Sequence, residues 1–185
     1  MLITKTKINN SYIIKIEKVK DNRGFFATTW DATKFVKYDL NPKMIECNVS
    51  FNKLKGTLRG LHYQMAPYEG AKLIRCTRGK IFDVILDLRP KSSTFMKWRG
   101  TILSSDNYKM NYVPDGCAHG FQTLDDNTEV FYQMSQVYMP KYSNGIRWDD
   151  PVFKISWPLK PTVISKKDLT WDFFGIKNPV NKKHS

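Results

Sequence analysis

Cysteine is scarce in this chain: Cys47, Cys76 and Cys117 are the three in 185 residues. The count is odd and no C-x-x-C occurs, which argues against a disulfide framework and against a zinc ribbon. A reducing cytoplasm suits such a composition. Long apolar runs are missing as well. No window approaches the roughly 18 residues that a membrane helix needs. The N-terminus reads MLITKTKINNSYIIKI, with lysines but neither an apolar run of signal-peptide length nor a small-residue cleavage site. Glycine (10) and proline (9) stay at ordinary levels, which excludes collagen-like and low-complexity classes. Acidic residues are the under-represented sign: 17 against 30 basic ones, a net charge of +13. That balance points to an anionic partner. The lysines are dispersed rather than gathered in one arm, and no RNA-binding motif accompanies them. Neither nucleic acid nor a membrane is therefore expected as a partner.

What is present fits one globular domain over residues 1–185, since domains run at roughly 150 residues. Hydrophobic residues make up 41% and aromatics a high 14%. The last residues, from about Lys177, read as a frayed polar tail. The periodicity is that of short strands. Tyr12–Ile16, Met44–Phe51, Thr57–Gln64, Lys72–Thr77, Ile81–Leu88, Phe95–Leu103, Tyr108–Val113 and Glu129–Tyr138 are rich in β-branched or aromatic residues. Turn signals separate them, among them Gly56, Arg78-Gly79, Pro114-Asp115-Gly116 and Asp125-Asp126-Asn127. Even spacing and few helical stretches predict an all-β barrel or sandwich. Short peripheral helices are expected at Asp31–Tyr38, with Asp31 as N-cap, and after Ser165, where Ser165-Lys166-Lys167-Asp168 has the form of a capping box. Ile81–Leu86 is nearly continuous and apolar, as a strand buried on both faces would be. Its polar member, Asp83, then needs a buried partner.

Chemistry is carried by few residues. Of three histidines, His184 lies in the tail, while His62 and His119 flank strands. Pro114-x-Gly116-x-x-His119 matches the second motif of the cupin superfamily, and Gly56 followed by His62 resembles the first. Metal cupins continue that first motif with a second histidine. Gln64 stands there instead, which leaves too few ligands for a His/His/Glu/His centre. The resemblance therefore implies a cupin-type jelly roll with a metal-free pocket and no cofactor. A metal-dependent cupin and a basic binding module remain as remote alternatives.

Longer blocks narrow the resemblance. In order they are Asp21-x-Arg23-Gly24-Phe25-Phe26, Leu58 to Gln64, Ala71-Lys72-Leu73 and Arg78 to Val84. Pro114 to Phe121, Glu129-x-x-Tyr132, Tyr138-x-Pro140, Ile146 to Pro151 and Ser165-Lys166-x-Asp168 follow. From Asp21 to Asp168 they resemble the dTDP-4-dehydrorhamnose 3,5-epimerase family. The resemblance implies a homodimeric isomerase of deoxysugar and surface-glycan biosynthesis. Its substrate would be a nucleotide-diphosphate-linked 4-keto-6-deoxyhexose, inverted at C3 and C5. Protons on both carbons are acidified by the C4 ketone. Inversion requires a base on one face, an acid on the other, and something to stabilise charge on the C4 oxygen.

His62 is the candidate base, because an unperturbed imidazole titrates near 6.5. The family pairs it with an aspartate at the position of Asp168, and Asp83 is a second possible partner. Tyr132 is the candidate acid, on the side of its strand shared with Met134 and Gln136. Lys72, an odd start to an apolar strand, is the candidate for the C4 oxyanion, with His119 as a second donor. Arg59 and Arg23 suit a diphosphate, which a guanidinium grips in bidentate fashion. The family's counterparts of Arg23 and Phe26 reach the partner subunit's site, and Tyr138 would stack on base or sugar. Two positions depart from the family. Thr28 replaces a glutamate that accepts thymine N3–H, and a Gln-Asp-Asn stretch reads Glu46-Cys47-Asn48. A threonine hydroxyl donates or accepts. A CDP-linked 4-keto sugar, deoxygenated at C3 and inverted at C5 alone, is therefore the alternative substrate.

Overall fold

The computed structural model describes residues 1–175. The expected frayed tail and His184 lie outside the described residues. In chain order the strands are β1 (Leu2–Lys5), β2 (Tyr12–Lys15), β3 (Val19–Asp21) and β4 (Gly24–Phe26), followed by helix α1 (Ala32–Lys37). Next come β5 (Glu46–Asn52), β6 (Thr57–Gln64), β7 (Lys72–Arg78), β8 (Lys80–Asp87) and β9 (Trp98–Ser104). The chain continues through β10 (Lys109–Val113), β11 (Cys117–Thr123), β12 (Thr128–Met134), β13 (Ser143–Gly145), β14 (Val163–Ile164) and helix α2 (Lys166–Leu169). One sheet runs β1-β2-β10-β7-β12-β5 and faces a second, β13-β6-β11-β8-β9. Pairing is antiparallel apart from β14, which lies parallel to β6. The two sheets make a jelly roll, and β3 and β4 form a separate exposed hairpin.

Strand alternation builds three apolar layers from these sheets. Between them lie Ile74, Val113 and Val130 of the first sheet against Ile81, Ile85, Leu103 and Phe121 of the second. The far face of the second sheet, with Leu61, Val84, Leu86 and Ala118, is covered by Ile146 and Phe153. The far face of the first, with Ile14, Leu73, Met110 and Tyr112, is covered by Phe35 of α1. Each fully buried side chain of this size contributes about 1.5–3 kcal/mol. β8 is thus buried on both faces, as its unbroken apolar run implies. Asp31 caps α1 by accepting from the Lys34 amide at 3.1 Å.

Two sequence expectations need correction. The strand expected over Glu129–Tyr138 stops at Met134, so Gln136 leaves the face of Tyr132 and Tyr138 stands on a loop. Cys117–Thr123, expected only to flank a strand, is the fully buried central strand β11 between β6 and β8. Its Ala118 and Gly120 carry little β signature. Gly120 is bare because neighbouring backbone comes close: a Cβ on it would stand 2.7 Å from the Arg59 carbonyl oxygen, and one on Gly60, where φ is +116°, would stand 2.5 Å from Gly120 Cα.

Candidate active site

The inward faces of both sheets open at one end into a cleft of about 600 Å³. That volume is in the usual range of ligand pockets. The second sheet contributes Arg59, His62 and His119 to it, and the first contributes Lys72, Tyr132 and Met134. α2 adds Lys167 and Asp168, and the loop after β12 adds Tyr138.

His62 and Asp168 meet because β14 runs beside β6 and delivers the chain into α2 over the cleft floor. Ser165 caps α2 by accepting from the Asp168 amide at 3.0 Å. The aspartate does not complete the capping box with its carboxylate. That group turns inward, 2.5 Å from His62 Nε2. It also accepts from the Gly60 amide and from Trp171 Nε1, each at 3.3 Å. Trp171 reaches it by lying flush on Gly145, where a Cβ would stand 2.3 Å from the indole ring. Burial pushes the Asp168 carboxyl up, but the His62 bond and charge, the Gly60 amide and the indole outweigh it, so it titrates below the usual range. Since Nε2 faces the carboxylate, Nδ1 is the ring nitrogen left for a ligand.

His119 is the cross-strand partner of His62. Asp83, considered above as a second partner for His62, serves His119 instead, 2.7 Å from its Nε2. The other Asp83 oxygen accepts from Asn111 Nδ2 at 2.6 Å. The reason is the pleat: Asp83 points between the sheets, whereas Asp168 arrives from outside them. Lys72 Nζ donates to the His62 carbonyl at 3.3 Å. Burial lowers this lysine to about 8, with Asp83 opposing the shift. Burial raises the Tyr132 phenol, Glu46 adds to that, and Arg59 works against it. Such a phenol stays protonated at neutral pH.

The remaining predicted residues fall into two groups. Arg59 lines the cleft and is steered by Asn52, whose Oδ1 accepts from Arg59 Nε at 2.7 Å. Tyr138 is held at the rim: its amide donates to Glu46 Oε2 at 3.1 Å, and Glu46 Oε1 accepts from Asn48 Nδ2 at 2.8 Å. Glu46 and Asn48 themselves stand outside the lining. Arg23, Phe26 and Thr28 are exposed, away from this chain's own cleft, with Arg23 paired to Asp21 at 2.6 Å. Sequence reasoning missed Lys167, Asn52 and Trp171. Lys167 sits inside a motif read only for its cap, and nothing local marks the other two.

Gln64, at the position of the second cupin histidine, is a strut. Its amide donates to the carbonyls of Tyr68 at 2.8 Å and Val137 at 3.1 Å, and its oxygen accepts from the Met139 amide at 2.6 Å. Among the described residues, no three His, Cys, Asp or Glu side chains stand together so as to hold a metal ion.

This geometry has close relatives. The family model described as dTDP-4-dehydrorhamnose 3,5-epimerase matches residues 5–175. The enzyme of that name from Methanothermobacter thermautotrophicus is 41% identical over 179 residues, covering 95% of each chain. Its Shigella flexneri namesake is 37% identical over 175 residues, covering 94% of this chain and 96% of the relative. The Bacillus anthracis dTDP-4-dehydrorhamnose 3,5-epimerase, solved with TDP and PPi bound, superposes with a TM-score of 0.89 at 35% identity. That match covers 93% of this chain and 98% of the other. A Legionella pneumophila dTDP-6-deoxy-D-glucose-3,5-epimerase, in complex with dTDP-4-keto-L-rhamnose, gives 0.87 at 34%, covering 93% and 92%. With the paired sheets, the cleft and most of the chain matched together, the protein belongs to the dTDP-4-dehydrorhamnose 3,5-epimerase family.

Proposed function

We propose that this protein epimerises a dTDP-linked 4-keto-6-deoxyhexose at C3 and C5, without a cofactor, and that the cleft around His62 is its active site. One observation carries the reading: the His62–Asp168 pair, at 2.5 Å, opens onto the same cleft as Lys72 and Tyr132. His62 Nδ1 takes the proton from a carbon next to the C4 ketone, and Asp168 stabilises the imidazolium that results. The electron pair moves into an enolate, whose C4 oxygen is stabilised by Lys72 and His119. Such donors supply about 3–4 kcal/mol each. Tyr132 returns a proton from the opposite ring face, and the centre is inverted. Arg59 holds the diphosphate and Tyr138 stacks on the sugar or base.

The same reading makes the protein a cytoplasmic homodimer. The hairpin carrying Arg23 and Phe26, with Thr28 just beyond it, reaches the partner's cleft, and Glu46 and Asn48 stand near the base. Exposed apolar surface supports this: Phe26 is 74% and Val49, on edge strand β5, 61% exposed. A lone chain rarely leaves large apolar groups on a hairpin or an edge strand so open to water.

In heavy water, deuterium should enter C3 and C5 of the dTDP sugar, and His62→Ala should abolish the exchange. Exchange at the parent rate in that variant would remove His62 from the role. A second reading, a CDP-linked sugar inverted at C5 alone, rests on the Thr28 hydroxyl. Matched dTDP- and CDP-4-keto sugars, assayed side by side, decide between the two.

A further inference from the structure

Behind the cleft runs a line of buried polar groups that the reaction above does not use. Asp83 and Asn111 are wholly buried. Asp83 bonds to Asn111 and His119, neither of them a permanent cation. Thr101 is its cross-strand partner on β9, and Arg99 follows on the same inward face, opposite Ile85. Arg99 Nη1, Thr101 Oγ1 and Asn111 Oδ1 are all buried without a hydrogen-bond partner. Orphaned buried groups of this kind are costly and uncommon. A carboxylate in such surroundings is the natural counter-charge for any cation nearby. Two cations feel it: Lys72 and Arg99 are each desolvated by burial, and Asp83 favours the charged form of both.

We propose that Asp83 is a positioning residue, acting through Lys72 as the buried counter-ion that keeps its ammonium charged while holding the His119 ring in place. Lys72 then competes with Arg99 for one carboxylate, and Arg99 limits how much of that field the lysine receives. This use of Lys72 in catalysis rests on the epimerase reading; the electrostatic coupling itself does not. The other charged and titratable groups that line the cleft with Lys72 are distributed over several elements. His62, Tyr63 and Arg59 come from β6, His119 from β11, Tyr132 from β12, Tyr138 from the loop after it, and Lys167 and Asp168 from α2. All of them are left in place by the variants below.

The test is the titration of Lys72 Nζ, followed by heteronuclear NMR on full-length protein with 15N-labelled lysine, beside the pH profile of turnover. Asp83→Asn should move the midpoint below the parent value of about 8, and the alkaline limb of kcat with it, leaving KM little changed. The side-chain amide introduced by that substitution can still accept from His119 and, once the Asn111 amide turns over, can donate to the Asn111 oxygen, so the fold has a replacement network. Arg99→Gln should move the midpoint the other way, because it removes both a like charge and a competitor. If Asp83→Asn does not fold, the sign of the Arg99→Gln shift decides. A Lys72 midpoint unmoved in the folded variants overturns the proposal. If the midpoints move as expected but no 4-keto sugar is turned over by the parent, the counter-ion assignment stands and the epimerase reading fails.

Discussion

His62 and His119 face one another across a single cross-strand pair, yet each has its own carboxylate. The difference between them is access: the His62 side chain is 41% exposed and the His119 side chain 9%. The more open His62 ring suits a base that must reach a carbon, and the more enclosed His119 ring suits the fixed donor to the C4 oxygen proposed above. Asp168→Asn should keep the ring in place but remove the charge that stabilises imidazolium. Turnover should fall by about 10²–10⁴-fold, measured as initial rates on the 4-keto sugar. The same substitution should leave a mark on stability. Asp168 titrates below its ordinary 3.8 in the folded chain, so its contribution is complete above that pH and is lost as pH falls through the folded value. Urea melts of the variant should therefore lose less stability on acidification than those of the parent; an unchanged acid slope would deny the coupling. Lys72 was legible as a charged start to an apolar strand, whereas His62 and Tyr132 were marked by the motifs that resemble the family. That Asp83 serves His119 was not legible, since it depends on which sheet face meets which.

At the scale of elements, the unbroken run of β8 and the cap of α1 could be read directly. β11 could not, because Gly120 answers to neighbouring backbone rather than to strand preference and Ala118 adds no β signature. Gly60→Ala should push β6 from β11, given the 2.5 Å approach and the positive φ. A loss of about 2 kcal/mol or more, read from urea midpoints, is expected, with turnover falling because the Gly60 amide no longer reaches Asp168. Gln64 ties β6 to the loop that carries Tyr138. Gln64→Leu leaves the Met139 amide and two carbonyls unpaired, at about 1–3 kcal/mol. KM should rise more than kcat falls, because the rim loosens while the His62–Asp168 pair stays. Equal losses in both would place Gln64 nearer the chemistry than its bonds suggest.

For the whole molecule, the +13 charge acts as a field around a cleft that holds Arg59, Lys72 and Lys167. If that field draws in a dianionic nucleotide sugar, kcat/KM should fall several-fold between about 0.05 and 0.5 M salt, with kcat steady. A flat response would leave the lysines a solubility device. If the exposed β3–β4 hairpin completes a partner's cleft, as proposed above, dilution should cost activity before it costs structure, measured as specific activity against protein concentration beside circular dichroism.

His62 and Asp168 are 106 residues apart in sequence. The two main sheets are held by their own strand pairing, but the His62 ring has no counter-charge until the segment from β14 through α2 is laid beside β6. The pairing is thus a long-range contact: release of that one segment would leave both main sheets paired and strip the carboxylate from the ring. If His62 is the base proposed above, a copy in that state would keep its architecture yet be silent toward the ketone.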